Sequence, residues 1–410
     1  MIFQVNGINS IFGVFQEFYT SDASNIPEAQ GQDALISLVG AIGYGLTYGG
    51  SIFVSQLVMR VENIKIVTLC GAVITSLGLF LAGFCTKLWH LYATQAFLFG
   101  LGATLLYFPM ISLLPRFFDR NRGFAMGFVL AGNGIGGLVL SPMTQTLIER
   151  IGIRWTLRVL GLMTLLMMIP VAFVLRQAPG FEERRHRRLT RTVFGKPEFY
   201  AQALGTAMQA AGNIIPLYYL NTYAISVLGY SISAASILLA INNVANSTSR
   251  VLMGLLADRI GRQNTLIASV FASAIVVLTL WYDATRPRFI AFIVTYGIFS
   301  GGYNALLPTT IVELYGDESY DTITGIIYFL RGIGTLTGPP VAGALLGARA
   351  RSVPSGLQDA IGYDSRTGTY GDKYDTLAIY TGMLLLGASI CACGVRWGEA
   401  RAKGTWKWKA

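Results

Sequence analysis

Charge is scarce in this chain. Only 13% of its 410 residues are Asp, Glu, Lys or Arg, against about a quarter in soluble domains. That deficit excludes an ordinary water-soluble protein. Histidine is nearly absent as well: His90 borders an apolar run, His186 lies in a charged stretch, and neither has a catalytic constellation nearby. The four cysteines, Cys70, Cys85, Cys391 and Cys393, lie in or beside apolar runs, which argues against a disulfide framework or a zinc site. No G-x-x-x-x-G-K-[ST] loop occurs, so nucleotide hydrolysis by this chain is excluded. Neither an enzyme nor a cofactor is expected. The net charge of +10 comes from short basic runs between apolar segments. Without a basic domain of any size, nucleic-acid binding is not expected.

What is abundant is apolar sequence, at 53% of residues. Crossing about 30 Å of hydrocarbon takes about 20 apolar residues. Runs of that length cover 34–59, 64–86, 90–114, 122–148, 154–176, 199–225, 233–257, 264–282, 289–313, 322–347 and 376–396. A weaker run at 3–19, interrupted by Gln4, Asn6, Asn9, Gln16 and Glu17, makes twelve. The chain is thus an all-α membrane protein in contact with lipid. Lys and Arg collect beside alternate span ends: Arg60 and Lys65; Arg116, Arg120 and Arg122; the run FEERRHRRLTR; Arg259 and Arg262; and the tail from Arg396. By the positive-inside rule these connections are cytoplasmic, and so are both termini. The acidic loop ELYGDESYD breaks the trend without reversing it. The basic stretch at 178–198 divides the chain into six-span halves at 1–177 and 199–396, followed by a tail at 397–410. Its charges suit a solvated inner surface, with anionic lipid as the other candidate partner.

Two motifs sharpen this plan. After the eighth span the chain reads GLLADRIGRQN, in which Gly254, Asp258, Arg259, Gly261 and Arg262 fit the G-x-x-x-D-R-x-G-R loop of the major facilitator superfamily. An aspartate there can accept hydrogen bonds at the positive start of a neighbouring helix while the arginines clamp carboxylates or last-turn carbonyls. The corresponding loop after span two, MRVENIKIV, lacks that core, leaving Arg60, Glu62 and Lys65 as a doubtful substitute. The second motif, RFFDRNRGFAMGFVLAGNGIGG, places Phe117, Phe118, Arg120 and Arg122 before Ala125, Gly127, Ala131, Gly132 and Gly136. It resembles the signature of the monocarboxylate porter family within that superfamily: a basic anchor, then small residues that let a neighbouring backbone approach closely. SIFGVFQEFY, IGIRWTLRVLG and YGIFSGGYNALLP resemble its fungal members. Those relatives open span one with an aspartate, two glycines and a tryptophan, which this chain lacks. Either an upstream segment precedes Met1 or the first helix is short.

Polar groups in apolar helices mark the expected site, because charge at membrane depth is costly. Asn242, Asn246 and Arg250 recur every fourth residue, predicting one face toward a central cavity. The resemblance implies that Arg250 holds a substrate carboxylate, to which a guanidinium fork is suited; the alternative is an arginine that snorkels or pairs with a helix end. The resemblance also implies an aspartate one turn earlier for proton coupling. Asn246 stands there, and span one has no lysine, so coupling through that pair is not supported. Glu17 and Glu313 are the remaining carboxylates, read first as structural. Arg331 is either part of a site for a larger or more acidic anion or a partner of Glu313. Tyr107, Gln209, Asn213, Tyr303 and Asn304 are candidates to line the cavity. The residues of the GLLADRIGRQN loop, with Arg120 and Arg122, are the candidate gate.

The expected fold is therefore the twelve-helix major facilitator fold, rocking about a midplane cavity. The expected function is export of an acidic or phenolic secondary metabolite through the plasma membrane. The alternatives are uptake or proton-linked symport of a simple monocarboxylate or vitamin and, in another class, a nutrient sensor that does not transport.

Overall fold

In the computed structural model, residues 1–21, 24–30, 32–61, 63–117, 122–175, 194–350 and 368–402 are described, and no strand occurs among them. The weak first span is two helices, α1 (Ile2–Ser10) and α2 (Phe12–Thr20). Helices α3 (Asp33–Gly49) and α4 (Ser51–Arg60) form the second span, and α5 (Ile64–Ala82) the third. Asn63 caps α5, its side chain accepting from Lys65 N at 3.1 Å, as a short polar residue does at a helix start. Helix α6 (Leu88–Leu91), a π segment (Tyr92–Leu98) and α7 (Phe99–Phe117) run on as one rod.

The next helices are α8 (Arg122–Val174), α9 (Pro197–Ser226), α10 (Ile232–Ile260) and α11 (Arg262–Val276), which ends in a π segment (Val277–Trp281). The last are α12 (Arg286–Ala350) and α13 (Gly368–Ala402). Both very long helices are broken by glycine, α8 at Gly152 (φ 76°, ψ 162°) and α12 at Gly316 (φ 76°, ψ 164°). That backbone region is essentially closed to residues with a Cβ. Each break turns one helix into two arms, so all twelve expected spans fall on helices. The basic stretch expected to link the halves lies mostly outside the described residues.

Seven of the described helical stretches are long and apolar enough to cross a membrane on composition alone. The first span, α9, α10 and the second arm of α12 fall short, because their polar residues point into the protein. Gln209, Asn242, Asn246, Arg250 and Arg331 are all buried, whereas Phe53, Leu166, Val174 and Ile390 are more than 70% exposed. An apolar exterior around a polar interior is the arrangement a lipid solvent selects.

Two seams join the helices on either side of the basic stretch. In one, the first arm of α8 packs along α10; in the other, the second arm of α12 packs along α3. A Cβ on Gly127 or Gly254 would overlap the carbonyl oxygen of Arg250 or Gly123, respectively, so α8 and α10 touch backbone to backbone. The small residues of the α8 motif serve two faces. Gly127 meets α10, while Gly136 packs against Phe3 and Gly7 of α1.

Candidate functional site

At the crossing of these helices lies an enclosed cavity of about 10 Å³, room for about one water molecule. Ser10 of α1, Tyr44 of α3 and Asn133 of α8 line one wall. Asn213 of α9, with Asn243, Asn246 and Arg250 of α10, lines another, and Tyr296, Ser300 and Asn304 of α12 complete it.

Arg250 is 4% exposed, and acceptors meet its guanidinium on several edges. Its Nε donates to Asn246 Oδ1 at 2.9 Å, one turn back on its own helix, and its Nη1 to the Leu130 carbonyl at 2.8 Å. The Asn133 amide is oriented by its neighbours. With its oxygen toward Arg250 Nη2 at 2.7 Å, its nitrogen donates to Ser10 Oγ and to the Asn6 carbonyl, both at 2.8 Å. Arg250 thus reaches from α10 into α8 and, through Asn133, into α1.

Asn242 does not share that face. Its Nδ2 donates to the Ile293 carbonyl at 2.9 Å, joining α10 to α12, and Asn243 lines the cavity in its place. The reason is helical geometry. At about 100° per residue, Asn242 lies about 80° around the helix from Arg250 and Asn243 only about 20°. A four-residue spacing carried over two turns drifts off the face it started on.

Arg331, on the second arm of α12 and 3% exposed, sits just behind the cavity wall. It donates to Asn304 Oδ1, and its guanidinium lies 4.6 Å from the Tyr48 ring and 5.6 Å from that of Tyr328. Among the described residues it forms no ion pair, so of the two alternatives the sequence left open, pairing with Glu313 is not seen. Tyr107 stands edge-on to Tyr48 at 5.2 Å in the same ring cluster. It builds the shell around Arg331 and does not line the cavity. Tyr303 is also placed elsewhere, its hydroxyl sharing a 2.9 Å hydrogen bond with Thr206 between α12 and α9. Asn213 and Asn304 do line the cavity, as expected. Gln209 is buried in α9 away from it.

The two guanidiniums fix the amides beside them. Because Asn246 and Asn304 turn their oxygens to Arg250 and Arg331, their nitrogens must face elsewhere. Asn246 Nδ2 donates to Ser300 Oγ at 2.9 Å, which leaves the Ser300 proton free. The Tyr48 hydroxyl donates to that of Tyr44 at 3.0 Å, freeing the Tyr44 proton likewise. The wall therefore presents donors.

At one end of the cavity Asp258 closes the seam. Its carboxylate accepts from the backbone N–H groups of Gly123 (3.3 Å) and Phe124 (3.1 Å) at the start of α8, where the helix dipole favours negative charge. Arg262 lies 3.7 Å from Asp258. Gly261, at φ 102°, makes the turn between α10 and α11. Arg259 is exposed; Arg120, and the side chain of Arg122, lie outside the described residues. On the other seam Asp321 accepts from Ser112, and the Tyr320 hydroxyl donates to the Ile111 carbonyl at 3.1 Å. These contacts tie α7 to α12; of the loop residues the sequence suggested as a substitute, Arg60, Glu62 and Lys65, Glu62 lies outside the described residues. The opposite end of the cavity is closed by Phe12 against Tyr218, with ring centroids 5.0 Å apart, and by Ser141 donating to the Ser236 carbonyl at 3.0 Å.

Sequence reasoning missed Ser10, Tyr44, Asn133, Asn243, Tyr296 and Ser300. Asn133 had a signal: it is the polar residue inside LAGNGIGG. The others are ordinary polar residues whose position depends on helix rotation.

Comparisons with known proteins agree with this architecture. The family model for the Major Facilitator Superfamily matches residues 2–339. The MFS-type transporter pynF of Aspergillus niger is 31% identical over 349 residues, covering 84% of this chain and 79% of that one. The aspyridones efflux protein apdF of Emericella nidulans is 28% identical over 84% of this chain and 70% of its own. Human monocarboxylate transporter 12 is 28% identical over 83% and 71%. Among solved structures, a bacterial homologue of the human lysosomal transporter Spinster, in an inward-facing and occupied conformation, superposes with a TM-score of 0.73. It is 17% identical and covers 99% of this chain and 96% of that one.

Proposed function

The chain belongs to the Major Facilitator Superfamily, as an integral membrane transporter that works by alternating access, and from that premise we propose that its cargo is an organic anion moved outward. The observation that carries this reading is the donor-lined cavity around Arg250. A guanidinium with amide and hydroxyl protons turned inward offers an anion charge-assisted hydrogen bonds in a low-dielectric site, while a neutral cargo would supply no counter-charge and a cationic one would be repelled. Arg250, Asn246, Asn213 and Asn304 are the proposed contacts, with Arg331 behind them.

Outward movement of an acidic or phenolic secondary metabolite is supported by the efflux named for apdF. The proposed orientation puts the Asp258 end and both termini in the cytoplasm and the protein in the plasma membrane. In that orientation the Asp258 contact with the start of α8 is the inner gate. It forms between halves divided at 178–198 and breaks when they rock apart. The cavity holds about one water, so the closed form must open or widen before cargo enters.

The test is flux in proteoliposomes of the purified protein, with labelled lactate beside a panel of aromatic and polyketide acids, for wild type and Arg250→Ala, with and without a pH gradient. Arg250-dependent movement of a larger acid with indifference to lactate supports the proposal. Saturable lactate flux that a pH gradient drives and Arg250→Ala abolishes would make the protein a monocarboxylate symporter. Binding of an acid without any flux would point to a sensor.

A further inference from the structure

Two buried cations lie close together at the centre of this molecule. Arg250 lines the cavity and Arg331 is hydrogen-bonded to Asn304 of the same cavity wall, and among the described residues neither has an ion-pair partner. Around Arg331 stand the rings of Tyr48 and Tyr328, with Tyr107 edge-on to Tyr48 and Tyr44 hydrogen-bonded to it, all carrying hydroxyls that are neutral at ordinary pH. Two unpaired guanidiniums at membrane depth are costly unless something supplies the missing charge.

The two arginines are not equally satisfied. Arg250 has protein acceptors at Nε, Nη1 and Nη2. Arg331 has one amide oxygen and two ring faces, and its buried Nε has no partner. Among the described residues, Asn304 is the one that both lines the cavity and hydrogen-bonds Arg331. A rotation of that one side chain would expose Arg331 to the cavity.

Resting on the anion reading above, we infer that the cargo carries two acidic groups, one held by Arg250 and the second taken up by Arg331 as the Asn304 amide turns aside. The chemical class is a dicarboxylic acid, or an acid with a second ionisable group such as an acidic enol or phenol. Its two charges match the two that the protein leaves uncompensated, which a simple monocarboxylate would not. Tyr44 and Tyr296 in the cavity wall suit a cargo whose acidic groups are borne on a flat or aromatic frame.

Proteoliposome flux of benzoate is compared with that of phthalate, isophthalate and terephthalate, which present a second carboxylate at three spacings on one ring. In the wild type, at least one diacid should move faster than benzoate by about tenfold or more, the scale of a buried charge pair gained. In Arg331→Gln that ratio should collapse toward one. Asn304→Asp should do the same, because it gives Arg331 a carboxylate of its own. Arg331→Lys, which keeps the charge, should retain the preference and shows that a collapse in Arg331→Gln is not misfolding. Benzoate moving as well as every diacid in the wild type, or a ratio unchanged in both Arg331→Gln and Asn304→Asp, would overturn the two-charge inference and leave the anion reading standing. Failure to move any of the four acids would count against both.

Discussion

Gly127 of α8 and the carbonyl oxygen of Arg250 on α10 are in backbone contact, with no space for a side chain between them. The residue that supplies the cavity's guanidinium is therefore also a contact point of the α8–α10 seam, the one proposed to part during transport. Widening the seam at Gly127 shifts Arg250 away from Leu130 and Asn133.

Gly127→Val should prevent that seam from closing. Overpacking of this kind costs about 1–3 kcal/mol, and it falls on the closed form. Flux in proteoliposomes should drop by about tenfold or more, while the purified protein remains monodisperse in detergent. Wild-type flux in Gly127→Val would show that the seam need not close this tightly.

Asp258→Asn should loosen the gate. The amide keeps an acceptor for only one of the Gly123 and Phe124 N–H groups, which bond separate carboxylate oxygens, and it loses the charge that the helix start and Arg262 favour, worth about 0.3–1 kcal/mol for the helix end alone. A cysteine introduced at Ser300 should then react several-fold faster with a polar thiol reagent applied from the Asp258 side. Equal rates in Asp258→Asn and its parent would remove Asp258 from the gate.

Asn133→Leu should destabilise the resting protein by about 1–3 kcal/mol, because Arg250 Nη2 and Ser10 then face an apolar side chain while buried. Arg250→Leu combined with Asn133→Leu should cost less than the sum of the two single changes, since each removes the other's partner. Melting temperatures of the singles and the double in detergent decide this. Additivity would mean the two side chains do not interact.

Two glycines should respond oppositely to alanine. Gly316 has φ 76° and no atom within 4 Å of its would-be Cβ, so Gly316→Ala pays only for the backbone conformation. The expected loss is about 1–3 kcal/mol. Gly394 in α13 also has open space but no positive φ, and Gly394→Ala should gain up to about 1 kcal/mol of helix propensity. Thermal unfolding of the two variants checks the sign.

Much of the fold was legible because lipid imposes a simple rule: a helix long and apolar enough to cross shows itself as a run, and all twelve expected runs fall on helices. The Asp258 contact with the start of α8 was legible too, since a loop motif and the dipole of a helix start require no knowledge of distant packing. The cavity was only half legible. Arg250, Asn246, Asn213 and Asn304 line it, but Asn242, Tyr107 and Tyr303 turn to other neighbours, and Arg331 stands one layer back.

By itself the sequence determined the solvent of this protein, the positions of its helices and the residue types able to meet an anion at depth, because hydropathy and loop motifs are properties of short stretches. Only the tertiary structure decided which face of each helix looks inward. It also decided that Arg331 faces tyrosines and Asn304 instead of Glu313, and that Arg250 is held by Leu130 and Asn133. Those outcomes depend on rotations of a few tens of degrees between helices far apart in the chain, and such rotations are set by close packing at Gly127, Gly254 and their partners, which no local pattern records.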